Sequence, residues 1–561
     1  MAISAGFSIA TTAISAFRTA ADVVAHNIAN VDTEGYSRQR VDFVAQQPQK
    51  MSYGNVGNGV DISTIERMRN SYLDLQMNRE QHELGSWNMK SDAIDQMELY
   101  FNETTTDGIS ALTSDMFAGW QSLSSNPDDQ ATRVALVQKA QMFTGAMNDQ
   151  NYKLNKLRQN LDEGIVAKVS EINVYAKSVA DLNTRIVSAE AGGHQANDMR
   201  DQRGLSMTKL AALIPFDSYE QADGSVSINV EGRTLVNGNT SASLETYADT
   251  TDPLFLHGIR WADSEVEYAP ETGEIGGLLY SRDTMVPGYI DKMNNMSESI
   301  STEVNRLHVN GRSLIPMTTA TGTSMLDDPT APLVSAASGL DVLPTAGTFT
   351  FNTVTGAGVS TAHTITIGAT TSLNDLVTAL NATDPNIAAG VDGQNRLTIN
   401  AANNYSFNFA GDATDTLVSL GVNTFFSGHD AATIAVNPAI VDDASLIAAA
   451  QSASPGDNTN ALAIASLRNA RTMKGGSQTF EEYFATQVVG AIGSDGSEAK
   501  RNLSNQTLVV EQISNSIDEV TSVSLDEEVT NMMQLQQAMT ASARYISILS
   551  AMMDEIVAII K

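Results

Sequence analysis

Residues 2–36 read AISAGFSIATTAISAFRTAADVVAHNIANVDTEGY. Ile3, Phe7, Ala10, Ile14, Phe17, Ala21, Val24, Ile28 and Val31 recur at intervals of four and three without a break. That spacing is a heptad seam sustained over about four repeats, and it predicts a helix that pairs with other helices. The residues between are mostly Ser, Thr and Ala, with few of the charges that flank a solvated two-stranded coiled coil. The helix is therefore expected to have more than one neighbour.

The far end of the chain carries the same pattern. From Leu525 it passes through Val529, Met532, Gln536, Met539, Ala543, Ile546, Ser550, Met553, Val557 and Ile560, and Leu549, Met552, Ile556 and Ile559 widen the apolar face. Ser524 is placed to cap this helix, with Asp526, Glu527 and Glu528 facing its positive dipole end. Stripes of this kind also build ordinary intramolecular bundles. Their position at both termini, with little charge, favours partners that arrive on assembly, and predicts ends poorly ordered until then.

Between the ends, residues 65–101, 106–147, 150–192, 281–310 and 479–520 read as helix. The second is interrupted at Asn126-Pro127, the third is closed by Gly192-Gly193, and the last is expected to loosen across Gly490–Gly496. From Pro215 to Pro270 the pattern shortens to strand-like pieces with turns at Asp223-Gly224 and Asn237-Gly238. Residues 317–440 turn rich in Thr, Ala, Gly and Asn. There Thr348–Asn352, His363–Ile367, Ile387–Val391, Arg396–Asn400 and Ser406–Phe409 alternate as strands, and Ser372 starts a short helix.

The fold class expected is multidomain α+β. Both termini form a long helical-bundle and coiled-coil framework, into which β-rich outer domains are inserted. The boundaries expected are 1–45 with 520–561 for the terminal coiled coil, and 46–214 with 276–316 and 441–519 for a helical domain. A β-rich domain is expected at 215–275 and an inserted β-rich module at 317–440.

At 561 residues the chain exceeds one core. Its 65 acidic against 33 basic residues give a formal charge of −32, which repels phosphate backbones and anionic lipid. Neither nucleic acid nor a membrane is expected as a partner. With no cysteine, disulfides, thiolate metal sites and thiol nucleophiles are excluded together. No apolar run is long enough to span a bilayer, and the first basic residue, Arg18, comes too late for a cleavable signal peptide. The seven histidines show no metal-ligand spacing, and no nucleophile-elbow, phosphate-loop or calcium-loop pattern is present. No catalytic residue, metal or cofactor is expected.

The segment after the first helix, Asn27-Ile28-Ala29-Asn30-Val31-Asp32-Thr33-Glu34-Gly35-Tyr36, reads physically as a helix end with Asn30 able to take a left-handed cap and Gly35 a tight turn. It also closely resembles the N-I-A-N-x-x-T-x-G-Y signature of flagellar rod, hook and hook-associated proteins, carried here by Asn27, Asn30, Thr33, Gly35 and Tyr36. Asn197–Arg203 through Leu213-Ile214 resembles the L-x-D-Q-R-D segment of the hook-associated protein 1 family, with Gly204 where a second acid usually stands. Leu123–Pro127 with Arg133, Gly276–Leu279, the helix of Asn305 and His308, Gly311, and Ser524–Ser547 are similar to that family too.

The resemblance implies a secreted structural protein of the extracellular bacterial flagellum, a subunit of a homo-oligomeric ring at the hook–filament junction, and no enzymatic activity. Its partners would be hook subunits, the neighbouring junction protein and a cytoplasmic export chaperone bound near the C-terminus, with export by the flagellar type III route. The terminal stripes would be the assembly interface lining an inner tube. A hook or distal rod subunit would share the ends and is the alternative. An enzyme carried on such a scaffold would need its site in 317–440, which offers His363 and His429 and no constellation.

Overall fold

The structure, a computed structural model, describes residues 2–51, 54–101 and 108–560, with side chains at 5–50, 54–101 and 108–559. The chain is multidomain α+β and folds as two compact units: residues 1–92, 159–281 and 498–561 in one, and 93–158 and 282–497 in the other.

The first unit is framed by its terminal helices. Ala2–Ala29 and Leu525–Ile560 lie antiparallel: Gly6 faces Leu549, and at the other end the Asn27 amide reaches Glu528. A hairpin not foreseen from the sequence covers a second side of the N-terminal helix. Its strands Gln39–Ala45 and Val60–Arg67 pair antiparallel, with a bulge where the register slips between Asp42 and Phe43. Residues 60–67 are strand, so the helix expected from 65 begins only at Ser71. The hairpin was missed because Val60, Ile62 and Ile65 straddle that bulge, which breaks the two-residue period. Gly59, at φ +106°, rests its backbone on Ile9 and Thr12, and the Phe43 ring meets Phe17 edge-on at 6.0 Å.

Strands of 217–261 form a four-stranded antiparallel sheet and a separate two-stranded one. The expected turns are present, with Gly224 at φ +84° and Gly238 at φ +56°. The helix Gln130–Glu190 runs for 61 residues, and three polar side chains on its second half clasp strand backbone. The Asp162 carboxylate accepts from the His257 amide and ring, Asn173 brackets Leu244, and Asn183 bonds Val226 and the carbonyl of Gly238. Each satisfies backbone groups that a strand end would otherwise bury unpaired.

In the second unit the helix Ile109–Ser125 ends at the expected break. Arg133, almost fully buried, donates to the Pro127 carbonyl at 2.6 and 2.9 Å and to Ile447 at 2.8 Å, which fixes the bend. The glycines 490–496 do not loosen their helix, which continues to Thr521. The irregularity is a π turn one step earlier, at Phe484–Val489. Gly496 is small because Glu98 and Ile94 press against it. The inserted segment forms two three-stranded antiparallel sheets, 360–367/347–355/405–410 and 319–321/397–401/387–391. The helix Leu373–Asn381 starts from a Ser372–Asp375 capping box, and Phe349, Phe351, Phe407 and Phe409 fill the core.

The pair Asn305 and His308, one turn apart on Val286–His308, ties this unit together. Asn305 accepts from the amides of Phe425 and Phe426 and donates to the Phe426 carbonyl. His308 is fully buried: Nδ1 donates to the Asn423 carbonyl at 2.7 Å, and Nε2 accepts from the Ala448 amide at 2.9 Å. Those bonds require the neutral ring, and burial pulls its pKa down to about 4. A histidine with a depressed folded pKa contributes stability that is complete above the unfolded value near 6.5 and is lost as pH falls toward 4. Between pH 6.5 and 5 this unit should lose about 2 kcal/mol. Urea midpoints read by Trp120 fluorescence, in a chain whose other tryptophans are replaced by Phe, would show the slope. A His308→Gln variant should be less stable at pH 7 and nearly flat over that range; an unchanged slope would refute the assignment.

Candidate assembly interface

The signature residues close the N-terminal helix and start the hairpin. Asn30 does not take the left-handed conformation expected of a cap. Instead its side-chain amide donates to the His26 carbonyl at 3.0 Å, adding a second bond to the one that its backbone N–H already makes to the same carbonyl. Thr33 donates to the Asn30 side chain at 3.2 Å, and Gly35 turns the chain at φ +78°, as expected, where a Cβ would crowd Leu205. Tyr36 then returns to the helix, donating to Asn27 Oδ1 at 2.8 Å.

Asn27 is the centre. Its side chain, 1% exposed, accepts from the Gln39 amide at 3.0 Å and donates to the Gln39 carbonyl at 2.9 Å. The amide thus imitates a strand neighbour and fixes the hairpin's first residue to the helix. Across the pair, the buried Glu528 carboxylate accepts from Arg38 Nε at 2.7 Å, and Glu527 accepts from the same guanidinium at 3.0 Å. The Arg38 amide also donates to Thr521 at 2.8 Å. Burial, reinforced by the carboxylates of Asp198, Asp201 and Glu528, raises the Tyr36 phenol well above its ordinary range, so it remains a donor.

The second sequence segment, 197–203, converges on the same place. Asp201 accepts from the Ser37 amide and hydroxyl at 2.9 and 2.8 Å and from Arg67 at 2.8 Å, while Gln39 donates to Asp198 at 2.7 Å. Arg200 joins Glu190 and Glu220, and Arg203 donates to Asn183 and the Gly224 carbonyl. Two motifs about 165 residues apart in sequence thus form one polar clasp. Gly204 has its own reason: a Cβ there would stand 3.2 Å from the Arg69 guanidinium, which crosses that face to reach Asp74. Arg38, Gln39, Arg67, Asp201 and Glu528 were not expected as site residues. Asp201 and Glu528 did carry a signal, the first within the segment 197–203 and the second as a first-turn carboxylate of the C-terminal helix.

The stripes are placed differently from a closed pair. The fully buried residues of the N-terminal helix are Gly6, Ala10, Ala16, Ala20, Val24 and Asn27, mostly small, and Gly6 and Asn27 meet Leu549 and Glu528 across the pair. Of the expected interface residues only Ala10 and Val24 are fully buried there; Phe7, Ile14, Phe17, Ala21 and Ile28 stay half-buried. On the C-terminal helix Met532, Met539 and Ile546 are half-buried, while Leu525, Val529, Met553 and Val557 are exposed. Ile3 and Ile560 lie outside the residues whose side chains the structure describes. The helix pair therefore leaves its larger apolar side chains partly open, an unusual concentration for a finished surface.

Among the described residues no helix is long and apolar enough to cross a membrane, and no cluster of His, Asp and Glu is arranged to hold a metal.

Comparison with known proteins places this arrangement. Residues 94–325 match the helical domain of the flagellar hook-associated protein FlgK, and residues 7–36 match the flagella basal body rod protein family. Flagellar hook-associated protein 1 of Bacillus subtilis is 25% identical over 98% of this chain and 97% of that protein. Over nearly its full length the chain is similar to flagellar hook-associated protein 1 relatives. Its Escherichia coli relative of that name is 24% identical over 98% of both chains. The flagellar hook junction protein FlgK from Burkholderia pseudomallei shares the fold, with a TM-score of 0.51 and 20% identity over 80% of this chain and all of that one. The rod-protein match ends at residue 36, at the signature that axial proteins share, and nothing in these comparisons favours a hook or distal rod subunit.

If the clasp holds hairpin to helix, Asn27→Ala should leave the Gln39 amide and carbonyl unpaired and destabilise the first unit by about 2–3 kcal/mol. Hydrogen exchange at Gln39 should accelerate at least tenfold while the Phe425 and Phe426 amides keep their protection. Unchanged exchange at Gln39 would show that the side chain does not carry the contact.

Proposed function

We propose that this chain is a structural subunit of the bacterial flagellum that forms a ring at the hook–filament junction. The observation that carries the reading is the pair of terminal helices whose large apolar residues stay open after the two have paired. Near-full-length similarity to hook-associated protein 1 relatives supports it. In this reading residues 1–45 and 520–561 form the inner-tube domain, and Ile3, Phe7, Ile14, Phe17, Ile28, Met539, Ile546, Met553, Val557 and Ile560 meet neighbouring subunits. Residues 46–214, 276–316 and 441–519 form the surrounding helical domain, and 215–275 and 317–440 the outer β-rich parts.

The ring joins hook subunits to the next junction protein. The chain reaches this place by type III export, escorted by a chaperone that holds the exposed C-terminal helix, and functions outside the cell without catalysis or cofactor. A seam of Gly and Ala buries little apolar area per residue, so the isolated ends gain their order from neighbours.

Deleting the coding sequence should leave hooks without filaments, the filament protein passing into the medium; normal filaments would overturn the reading. Phe17→Glu or Ile546→Glu should cut incorporation into flagella at least tenfold while the second unit's urea midpoint stays unchanged. In the unassembled chain, amides of 1–30 and 530–561 should exchange much faster than those of 286–308. Strong protection at both ends would show a helix pair already complete.

A further inference from the structure

We infer that residues 551–559 of one copy's C-terminal helix seat in a groove beside the terminal helices of a second copy, a contact that rests on the assembly reading above. Own-chain cover ends at Leu549, the last buried residue of that helix; every position from 551 to 559 is exposed. Met552, Met553, Ile556, Val557 and Ile559 continue the stripe whose earlier turns the N-terminal helix covers, with exposures of 41–78%. Positions 552, 556 and 559 share one face and 553 and 557 the next, flanked by Asp554 and Glu555.

A matching surface lies at the other end of the same helix pair. A cavity of ≈ 520 Å³ opens between the two helices and the hairpin, walled by Ala20, Val23, Phe43, Met68, Leu535 and Ala538. The helix side of this wall is built from Ala20, Val23, Val24 and Ala538, and the polar clasp residues Arg38, Gln39 and Glu528 also border it, so the cavity offers an apolar strip beside charged groups. Its volume is within the range of about 300–1,000 Å³ of pockets that bury apolar groups. Arg40 lines the cavity and bonds Asp42 through Nε, and a seated tail would bring two carboxylates, Asp554 and Glu555, to this cation.

The chain cannot fill this groove with its own tail. Leu535 and Val557 are on one helix, 22 residues or about 33 Å apart. The contact is therefore head-to-tail between copies, the heterologous kind that closes a ring or extends an array according to its rotation.

The absence of cysteine makes the test clean. Val23→Cys with Val557→Cys, assembled in cells and oxidised in isolated flagella, should yield covalent species of two or more copies at ten times the level of either single variant or more. In parallel, Arg40→Glu should lower incorporation at least tenfold, and adding Asp554→Arg and Glu555→Arg should restore it to within about threefold. Flagella that contain the double-cysteine chain without adducts between copies, or with adducts only to a different protein, would overturn the contact. Failure of the charge reversal to rescue would do the same. Absence of the wild-type chain from flagella would instead defeat the assembly reading itself.

Discussion

The structure of the first unit depends on one side-chain amide. Asn27, in the last turns of the N-terminal helix, presents a carbonyl and an NH₂ group in the geometry of a peptide, and Gln39 pairs with it as one strand pairs with another. A helix end normally leaves four carbonyls open and imposes no direction on the residues beyond it. Here the direction is imposed by Asn27, which bonds both Gln39 and Tyr36. The hairpin must return along the helix, and its return places Arg38 beside Glu528 and Ser37 beside Asp201. Both chain ends and the helix of 197–213 are thereby held by groups spanning a few residues. An aliphatic residue at 27 could fill the volume, but it could neither reproduce the paired bonds nor accept from Tyr36.

Most of the regular architecture was legible in the sequence. The two terminal helices, the break at Asn126-Pro127, the turn at Gly35 and nearly every strand of 347–410 stand where local pattern put them, because each is decided by residues within a turn or two. The elements that escaped depend on long-range relations. The hairpin of 39–67 was hidden by its bulge, and the π turn at 484–489 has no composition of its own. The polar clasp joins residues 27, 39, 201 and 528, which no local period links. Its two halves were visible only as separate resemblances, and the geometry explains why both segments carry recognisable residues: they bond each other.

The acidic composition has a comparable local explanation. Asp223, Asp249, Asp328, Asp392, Asp443 and Asp457 each accept from amides or hydroxyls two to six residues away and close a loop, which holds their carboxyl groups below the ordinary range. Part of the charge is therefore structural punctuation. A chain without disulfides needs such local bonds to define its long connections, and a carboxylate supplies stronger ones than an amide or hydroxyl.

The placement of apolar residues reverses the usual order of folding. A monomer that stabilised itself fully would turn Phe7, Phe17, Ile546 and Met553 into its own seam and leave alanine outside. Here the buried positions of the N-terminal helix are taken by Gly6, Ala10, Ala16 and Ala20, and the larger residues stay half-buried or exposed. Small residues let two helices approach closely with little gain in buried area, so the pair sets orientation more than stability. The polar clasp supplies the orientation at one end, and at the other the described residues 551–559 all stay exposed. The apolar area left open on those stripes is therefore free energy that the helix pair by itself does not recover.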